Sequence, residues 1–289
     1  MGLQKLTPFS MMCRMNQLNK NLIISFAEYI ASQNEARHRL PYTYSLEKTG
    51  QVLFYFGSEH KKDPTHPQFA TLHQEWKRFL NKAQNKKSIV IYEGNVNENS
   101  LPSLEKAIEQ FGESGAIVYL ARQANVPYFR PEPTIGGESK ELLEEYSKEE
   151  VAYLYMMRAI ASWLRNSATE DFDEYVKRIV ERNIKELGWP DFNFSFESTV
   201  VSTHKKIFDR EFDIEDKNFI MRVANPMYNL SNINEIARTS SQIRNITILD
   251  CIRDYWEKGY NIFVVYGASH AVMQERALED MIGVELTHA

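Results

Sequence analysis

The chain has 289 residues, of which 43% are hydrophobic and 25% are charged, and its formal net charge is −5. This composition is that of an ordinary globular protein with ample material for a core, organised as one elaborated domain or as two. The acidic balance argues against a nucleic-acid partner, because a phosphate-binding face normally carries an excess of basic residues.

Cysteine usage and the length of the apolar runs indicate the compartment. The two cysteines, Cys13 and Cys251, lack the spacing of a disulfide framework or a metal site, so a reducing environment is expected. No apolar run reaches the ~18 residues of a membrane span. The N-terminal stretch NLIISFAEYIA contains Glu28 and is soon followed by Arg37 and Arg39, which favours an amphipathic helix over a signal peptide. We therefore expect a cytoplasmic protein without a membrane span.

The chain begins with a predicted flank, residues 1–45. The flank is expected to hold a helix over LNKNLIISFAEYIASQNEAR and then the extended stretch LPYTYSL. The apolar run that follows, QVLFYFG, predicts a strand. A helix is expected to start within DPTHPQ, where Thr65 and Gln68 have the spacing of a capping box, and to run through FATLHQEWKRFLNKAQ.

Two further strands follow in the same half of the chain. SIVIYEG is predicted as a strand of the buried type, because its apolar residues are continuous rather than alternating. SLPSLEKAIEQFGESGAIVYLARQAN predicts one or two helices with a break near Gly112, and VPYFRPEP predicts a third strand. Strands that alternate with helices imply right-handed crossovers, so a parallel sheet is expected.

The pattern becomes helical between residues 136 and 230. SKEEVAYLYMMRAIASWLRN and DFDEYVKRIVERNIKELG predict long amphipathic helices, and the aromatic and Met-rich face of the first is expected to be core. The last segments predict a helix, a strand, a helix and a short strand; they are SQIRNITILDCIRDYWEKG, YNIFVVYG, HAVMQERALEDM and IGVEL. We therefore predict a single α/β domain, residues 1–289, with a mainly parallel sheet flanked by helices and a large helical insertion at 136–230.

Ligands of open parallel sheets bind beyond the carboxyl ends of the strands. Two histidines and two carboxylates of this chain, Glu93 and Glu132, are predicted to emerge at that edge. The residues that close the predicted strands there are Gly57, Glu59, His60, Glu93, Glu132, Gly267 and His270. Their convergence is the strongest functional signal in the sequence.

A Gly-x-x-His motif closes both the first and the last long strand. Glycine permits a sharp or positive-φ turn at a strand end, so the histidine three residues on can point back over the sheet edge. Two neutral imidazoles and the carboxylate of Glu93 would make a two-histidine, one-carboxylate metal set with positions left for water and substrate. The alternatives are that His60 and His270 are ordinary loop or cap residues, and that Glu93 caps a neighbouring helix.

Three other residues carry side chains that could serve a catalytic site. Glu113, in FGESG, is expected near a helix N-terminus, where a carboxylate is favoured whether or not it is functional. His66 is either a substrate contact or a surface loop residue. Ser269, in YGASH, is not expected to be a nucleophile, because the pattern G-x-S-x-G is missing. The absence of G-x-G-x-x-G and Walker motifs disfavours dinucleotide and nucleoside triphosphate chemistry.

The segments YFGSEH, IVIYEGN and IRNITILDCIRDYWEKGYNIFVVYGASH resemble the TraB/PrgY/TIKI family. Its members carry two Gly-x-x-His motifs, an acidic residue at the end of the second strand, and an Arg-Asn or Arg-Asp pair on the helix before the last motif. The matching positions here are Gly57, His60, Glu93, Arg244, Asn245, Gly267 and His270. The resemblance covers about Val52 to Pro133 and Ser240 to Leu286, and the wider superfamily includes erythromycin esterases and haem-associated ChaN-like proteins.

The resemblance implies hydrolysis of an amide or ester bond in a peptide or small molecule. Members of the TIKI branch are similar to metal-dependent peptidases, so His60, His270 and Glu93 would hold a divalent ion (manganese, cobalt or zinc). Such an ion lowers the pKa of a bound water, to about 7 in favourable cases.

Further residues are expected to act around the proposed ion. Arg244 would stabilise the oxyanion or anchor a substrate carboxylate, and either Glu113 or Glu59 would move the proton. The residues expected to contact the substrate are Asn245, Glu132 and His66.

Two alternatives to a metal-dependent hydrolase stay open. The glutamate in GSEH resembles the esterase branch, which implies a metal-independent hydrolase with His60 as the general base. A protein of a different class would bind a peptide or haem in the same crevice without catalysis, as PrgY-like members curb peptide pheromones. The sequence predicts no oligomeric state.

Overall fold

The computed structural model describes residues 19–33, 35, 38–84, 86–165 and 170–288. The chain divides into two compact units, the first formed by Met1–Ile24, Asn34–Pro131 and Ile248–Ala289, the second by Ser25–Gln33 and Glu132–Thr247. The α/β class with a mainly parallel sheet is confirmed. The predicted insertion, 136–230, falls inside the second unit; the predicted single domain and the flank 1–45 stay predictions.

The first unit contains a sheet with the strand order β4-β3-β5-β2-β1-β6. Its strands are β1 (Tyr42–Lys48), β2 (Gln51–Ser58), β3 (Ser88–Tyr92), β4 (Tyr128–Phe129), β5 (Asn261–Gly267) and β6 (Thr287–His288). Neighbours among β4, β3, β5 and β2 are parallel, whereas β1 is antiparallel to β2 and to β6. The ligand-binding edge expected of a parallel sheet is thus built from β2, β5 and β3.

Several predicted boundaries differ from the structure. The extended stretch LPYTYSL contributes β1, so part of the predicted flank is sheet. The predicted helix over residues 18–37 is reduced, among the described residues, to a 3-10 turn at Lys20–Leu22 and a short helix, α1 (Phe26–Ser32). The predicted strand IGVEL is wrong, because the last long helix continues through Ile282 and the final strand pairs only at residues 287 and 288.

The helices of the chain follow the predicted amphipathic segments. After α1 they are α2 (Pro67–Ala83), α3 (Leu104–Gln123), α4 (Ile135–Leu142), α5 (Lys148–Arg165), α6 (Phe172–Leu187), α7 (Thr203–Phe208), α8 (Lys217–Val223), α9 (Asn232–Glu257) and α10 (Ala268–Ile282). A π-helical segment, Glu197–Ser202, directly precedes α7. No described helix combines the length and apolarity needed to cross a bilayer.

Aromatic packing joins α2 to one face of the sheet. Phe54 of β2 and Phe263 of β5 stack with ring centroids 6.3 Å apart, and Trp76 meets Phe263 edge to face at 5.3 Å. These rings are buried with at most 3% exposure. Burying a side chain of this size contributes about 1.5–3 kcal/mol, so this face is held rigidly beneath the strand ends.

On the opposite face of the sheet, tyrosine hydroxyls form hydrogen bonds to α10. Tyr55 of β2 donates a hydrogen bond to Gln274 at 3.1 Å, and Tyr44 of β1 donates to the Ala271 carbonyl at 3.0 Å. Both acceptors lie on α10. Because buried hydroxyls are costly without partners, these bonds set the position of α10 on the sheet.

The second unit has its own core around α5. The face predicted to be core is buried at Tyr153, Tyr155, Met156 and Met157, and Trp163 is half-buried. The packing interpretation of this Met-rich stripe is therefore confirmed.

A buried histidine lies in this second core. His204 is 2% exposed, and its Nδ1 lies 2.7 Å from the Tyr153 hydroxyl. The rings of Phe208, Phe212 and Phe219 surround it. Burial, and then the positive charge of Arg210, lower the pKa of His204, while the acidic groups of Asp216 and Glu211 oppose this. The imidazole is therefore held neutral.

We predict that the second unit loses stability on acidification through His204. The unfolded chain takes up a proton near pH 6.5 whereas the folded one does not, so unfolding is favoured as pH falls below that value. His204→Gln keeps an acceptor for Tyr153 but does not titrate. The free energy of unfolding from denaturant titrations between pH 7 and pH 5 should fall more steeply for wild type, and parallel curves would refute the assignment.

Candidate functional site

The structure brings the predicted strand ends together. Ser58 at the end of β2 pairs in register with Gly267 at the end of β5, and Tyr92 of β3 pairs with Val265. The backbone N–H of Glu93 then donates to the Val265 carbonyl at 3.0 Å. Both Gly-x-x-His motifs and Glu93 thus follow the carboxyl ends of parallel strands, as predicted.

His60 and Glu113 form a short polar contact in the site. His60 Nδ1 lies 2.6 Å from Glu113 Oε1, with the Glu113 side chain 6% exposed and the His60 side chain 59% exposed. Because an ionised carboxylate can only accept, the neutral form of the ring beside it carries its proton on Nδ1 and has Nε2 as its basic nitrogen. The arrangement orients a solvent-accessible imidazole as a base.

Glu93 lies on the other side of the same ring. Its Oε2 is 3.9 Å from His60 Nε2 and accepts a hydrogen bond from the Gly267 N–H at 2.8 Å. Its backbone carbonyl accepts from Ser114 Oγ at 2.6 Å. A carboxylate fixed in this way stabilises positive charge that forms on Nε2 when the ring takes up a proton.

The two motif glycines are required for close approach and not for their turns. A Cβ on Gly267 would lie 2.5 Å from His60 Nε2, and one on Gly57 would lie 2.8 Å from the Tyr42 carbonyl oxygen. Neither glycine has a positive φ, but His60 does, at 55°. The predicted reason for the glycines is therefore corrected: His60 makes the left-handed turn, and Gly267 leaves room for its ring.

A kink in α3 delivers Glu113 to the site. Gly112 has φ 62° and ψ −139°, in the middle of α3, as the predicted break requires. A Cβ there would lie 2.8 Å from the Lys61 carbonyl oxygen. Only glycine adopts this conformation readily, so Gly112 lets the chain after His60 pack against the kink. Glu113 and Ser114, the next two residues, then reach His60 and Glu93.

The first turn of α2 holds the segment after β2. Its N-cap is His66, whose Nδ1 accepts from the Gln68 N–H at 3.4 Å, and Pro67 is the first helical residue. The predicted capping box is wrong, because Thr65 donates to Asp63 instead. Gln68 Oε1 accepts the Glu59 N–H at 3.0 Å. Gln68 and Ser114 therefore position the site, and their part in it was not predicted.

His270 occupies a different environment from His60. It lies on α10 with 5% exposure, its ring centroid 5.6 Å from that of Tyr266. Tyr266 points to the sheet face opposite that of Gly267, since side chains alternate along a strand. Among the described residues, no group of three or more His, Cys, Asp or Glu side chains could hold a metal ion. The set His60–His270–Glu93 does not fit such a centre there, and the metal stays a prediction.

Two predicted substrate contacts pair with each other in the second unit. Arg244 on α9 forms a salt bridge with Glu132, and Asn245 beside it is fully buried. A second pair in this unit joins Arg158 to Glu138, with Ser240 bonded to both. Substrate binding by Arg244, Asn245 and Glu132 stays a prediction.

We predict that Gly112→Ala is more destabilising than a positive φ alone explains. Gly259→Ala is the matched control, because Gly259 has φ 78° and no atom within 4 Å of its added Cβ. The control should cost about 1 kcal/mol of unfolding free energy, and Gly112→Ala about 2–4 kcal/mol, since strain and a backbone clash add. Denaturant unfolding of the two variants measures this; equal losses would show that the Lys61 contact is unimportant.

Comparison with known proteins adds no family assignment. No family model, no curated protein and no solved structure matches this chain. The candidate site therefore rests on its own geometry: an exposed imidazole between two carboxylates, one at 2.6 Å and the other at 3.9 Å.

Proposed function

We propose that the protein is a hydrolase of ester or amide bonds in which His60 is the general base. The observation that carries the proposal is the 2.6 Å contact of His60 Nδ1 with the buried carboxylate of Glu113. A histidine that is oriented by a carboxylate, and whose side chain is 59% exposed, is suited to activate a hydroxyl or water for attack on a carbonyl.

The residues of the first unit supply each proton transfer. His60 Nε2 takes a proton from the attacking oxygen while that oxygen bonds to the carbonyl carbon. Glu113 stabilises the resulting imidazolium through Nδ1–H, and the charge of Glu93 acts in the same direction from 3.9 Å. The imidazolium then gives its proton to the leaving oxygen or nitrogen as the carbon–heteroatom bond breaks. No step requires a redox partner.

Three properties of the structure support hydrolysis over simple binding. The ring of His60 is 59% exposed, so a substrate carbonyl has access. Its orientation is set from two sides, by the α3 kink and by the close approach of Gly267. A left-handed histidine costs backbone energy, and such strain is concentrated at functional sites.

We predict that His60→Ala lowers kcat/KM by roughly 10²–10⁴-fold on ester or amide substrates, the usual effect of removing a general base. Glu113→Gln should lower it by a smaller factor, because the base remains but loses its charged partner. His73→Ala is the matched control, an exposed histidine on α2, and should keep wild-type rates. The measurement is hydrolysis of a panel of nitrophenyl esters and peptide anilides.

The melting temperatures of these variants separate chemistry from folding. His60 is exposed, so His60→Ala should melt close to wild type. Full activity in His60→Ala would reject the proposal. Wild-type protein that hydrolyses nothing, with and without added manganese, cobalt or zinc, would favour a binding role. Elemental analysis of protein purified without chelator tests the predicted metal separately.

A further inference from the structure

Ser58, the last residue of β2, carries a buried hydroxyl. The residue is 3% exposed, and its Oγ lacks a hydrogen-bond partner within the described part of the chain. A buried hydroxyl without a partner costs about 1–3 kcal/mol. Such a group in a native structure calls for an explanation, and one explanation is a catalytic role.

The sheet register places Ser58 beside the His60 ring. Ser58 pairs with Gly267, and a Cβ on Gly267 would lie 2.5 Å from His60 Nε2. Paired residues of parallel strands point to the same face, and neighbouring strands lie about 4.8 Å apart. His60 Nε2 therefore lies beside the position that a Gly267 side chain would occupy, on the strand next to Ser58.

The alternation of side chains along β2 places Ser58 on the same face of the sheet as the His60 ring. Phe54 and Phe56 belong to the core under α2 and α3, and Ser58 is the next residue on that side. His60 meets Glu113 of α3 on the same side. Rotation about one side-chain bond is enough to turn a serine hydroxyl toward a base, and such contacts are often long before substrate binds.

We propose that Ser58 is the nucleophile of the hydrolase, with His60 as its base and Glu113 as the carboxylate that orients the base. This inference rests on the proposed function and adds to it a covalent intermediate. Nucleophile, base and orienting carboxylate are recognised by their geometry and roles, and not by their order in the chain. The substrate class is an ester or amide whose acyl group can be transferred to a serine.

The covalent step balances in atoms and electrons. Ser58 Oγ bonds to the carbonyl carbon, and its proton moves to His60 Nε2. The carbon–oxygen or carbon–nitrogen bond of the substrate breaks, and the leaving group takes that proton. Water then attacks the acyl-serine, giving its proton to His60, which returns it to Ser58 Oγ as the carboxylic acid leaves.

The test uses a fluorophosphonate, which modifies activated serines whatever the natural substrate. Full-length wild type, Ser58→Ala and His60→Ala are treated with it, and the adduct is located by peptide mass mapping. Ser269→Ala is the matched control, because that serine occupies the other Gly-x-x-His motif. Hydrolysis of nitrophenyl acetate is measured on the same proteins, and circular dichroism checks their folding.

We expect an adduct on Ser58 in wild type and in Ser269→Ala, and none in His60→Ala. Ser58→Ala should hydrolyse at less than a hundredth of the wild-type rate. An active wild type with no adduct on Ser58, or with the adduct on Ser269, overturns the inference. So does Ser58→Ala with more than a hundredth of the rate. An active wild type without any serine adduct leaves the proposed function standing, with His60 as the base for water.

If the proposed function itself is wrong, the same experiment gives a different result. Wild-type protein that neither hydrolyses the panel nor takes up the fluorophosphonate rejects both the general base and the nucleophile. If Ser58→Ala does not fold, the location of the wild-type adduct decides the matter alone.

Discussion

The buried carboxylate of Glu113 beside the exposed ring of His60 is the interaction on which the candidate site depends. It fixes which imidazole nitrogen carries a proton, and therefore which one is a base. The contact exists only because Gly112 kinks α3 and because Gly267 has no Cβ to meet the ring. Two glycines in distant parts of the sequence thus serve one side chain.

The rigidity of this arrangement comes from the layers beneath it. The stacked rings of Phe54, Phe263 and Trp76 hold α2 against β2 and β5, and the tyrosines of the other face hold α10. Packing on both faces of the sheet therefore fixes the positions of the strand ends, independently of the loops that follow them. A base and a nucleophile must be held within a fraction of an ångström to be useful, and a parallel sheet supplies that precision.

In the second unit, histidine, glutamate and arginine side chains are paired within the core or with each other. There Tyr153 and His204 are buried together among phenylalanines, and their polar atoms serve packing. Glu138 of α4 pairs with Arg158 of α5, and Glu132, which precedes α4, pairs with Arg244 of α9. A histidine next to a tyrosine is thus a neutral core element in one unit, whereas an exposed histidine next to a glutamate is the proposed base in the other. Burial and the charge of the partner decide between the two.

By itself the sequence determined the parallel strands and most helix positions, because continuous apolar runs and helical periodicity reflect local burial. It also placed His60, Glu93, Glu113 and His270 at strand or helix ends. The tertiary structure alone decided which of these meet. The Glu113–His60 contact joins residues 53 positions apart, and the register of Ser58 with Gly267 joins β2 to a strand some 200 residues away. Such contacts depend on how the sheet closes, and no local pattern carries that information.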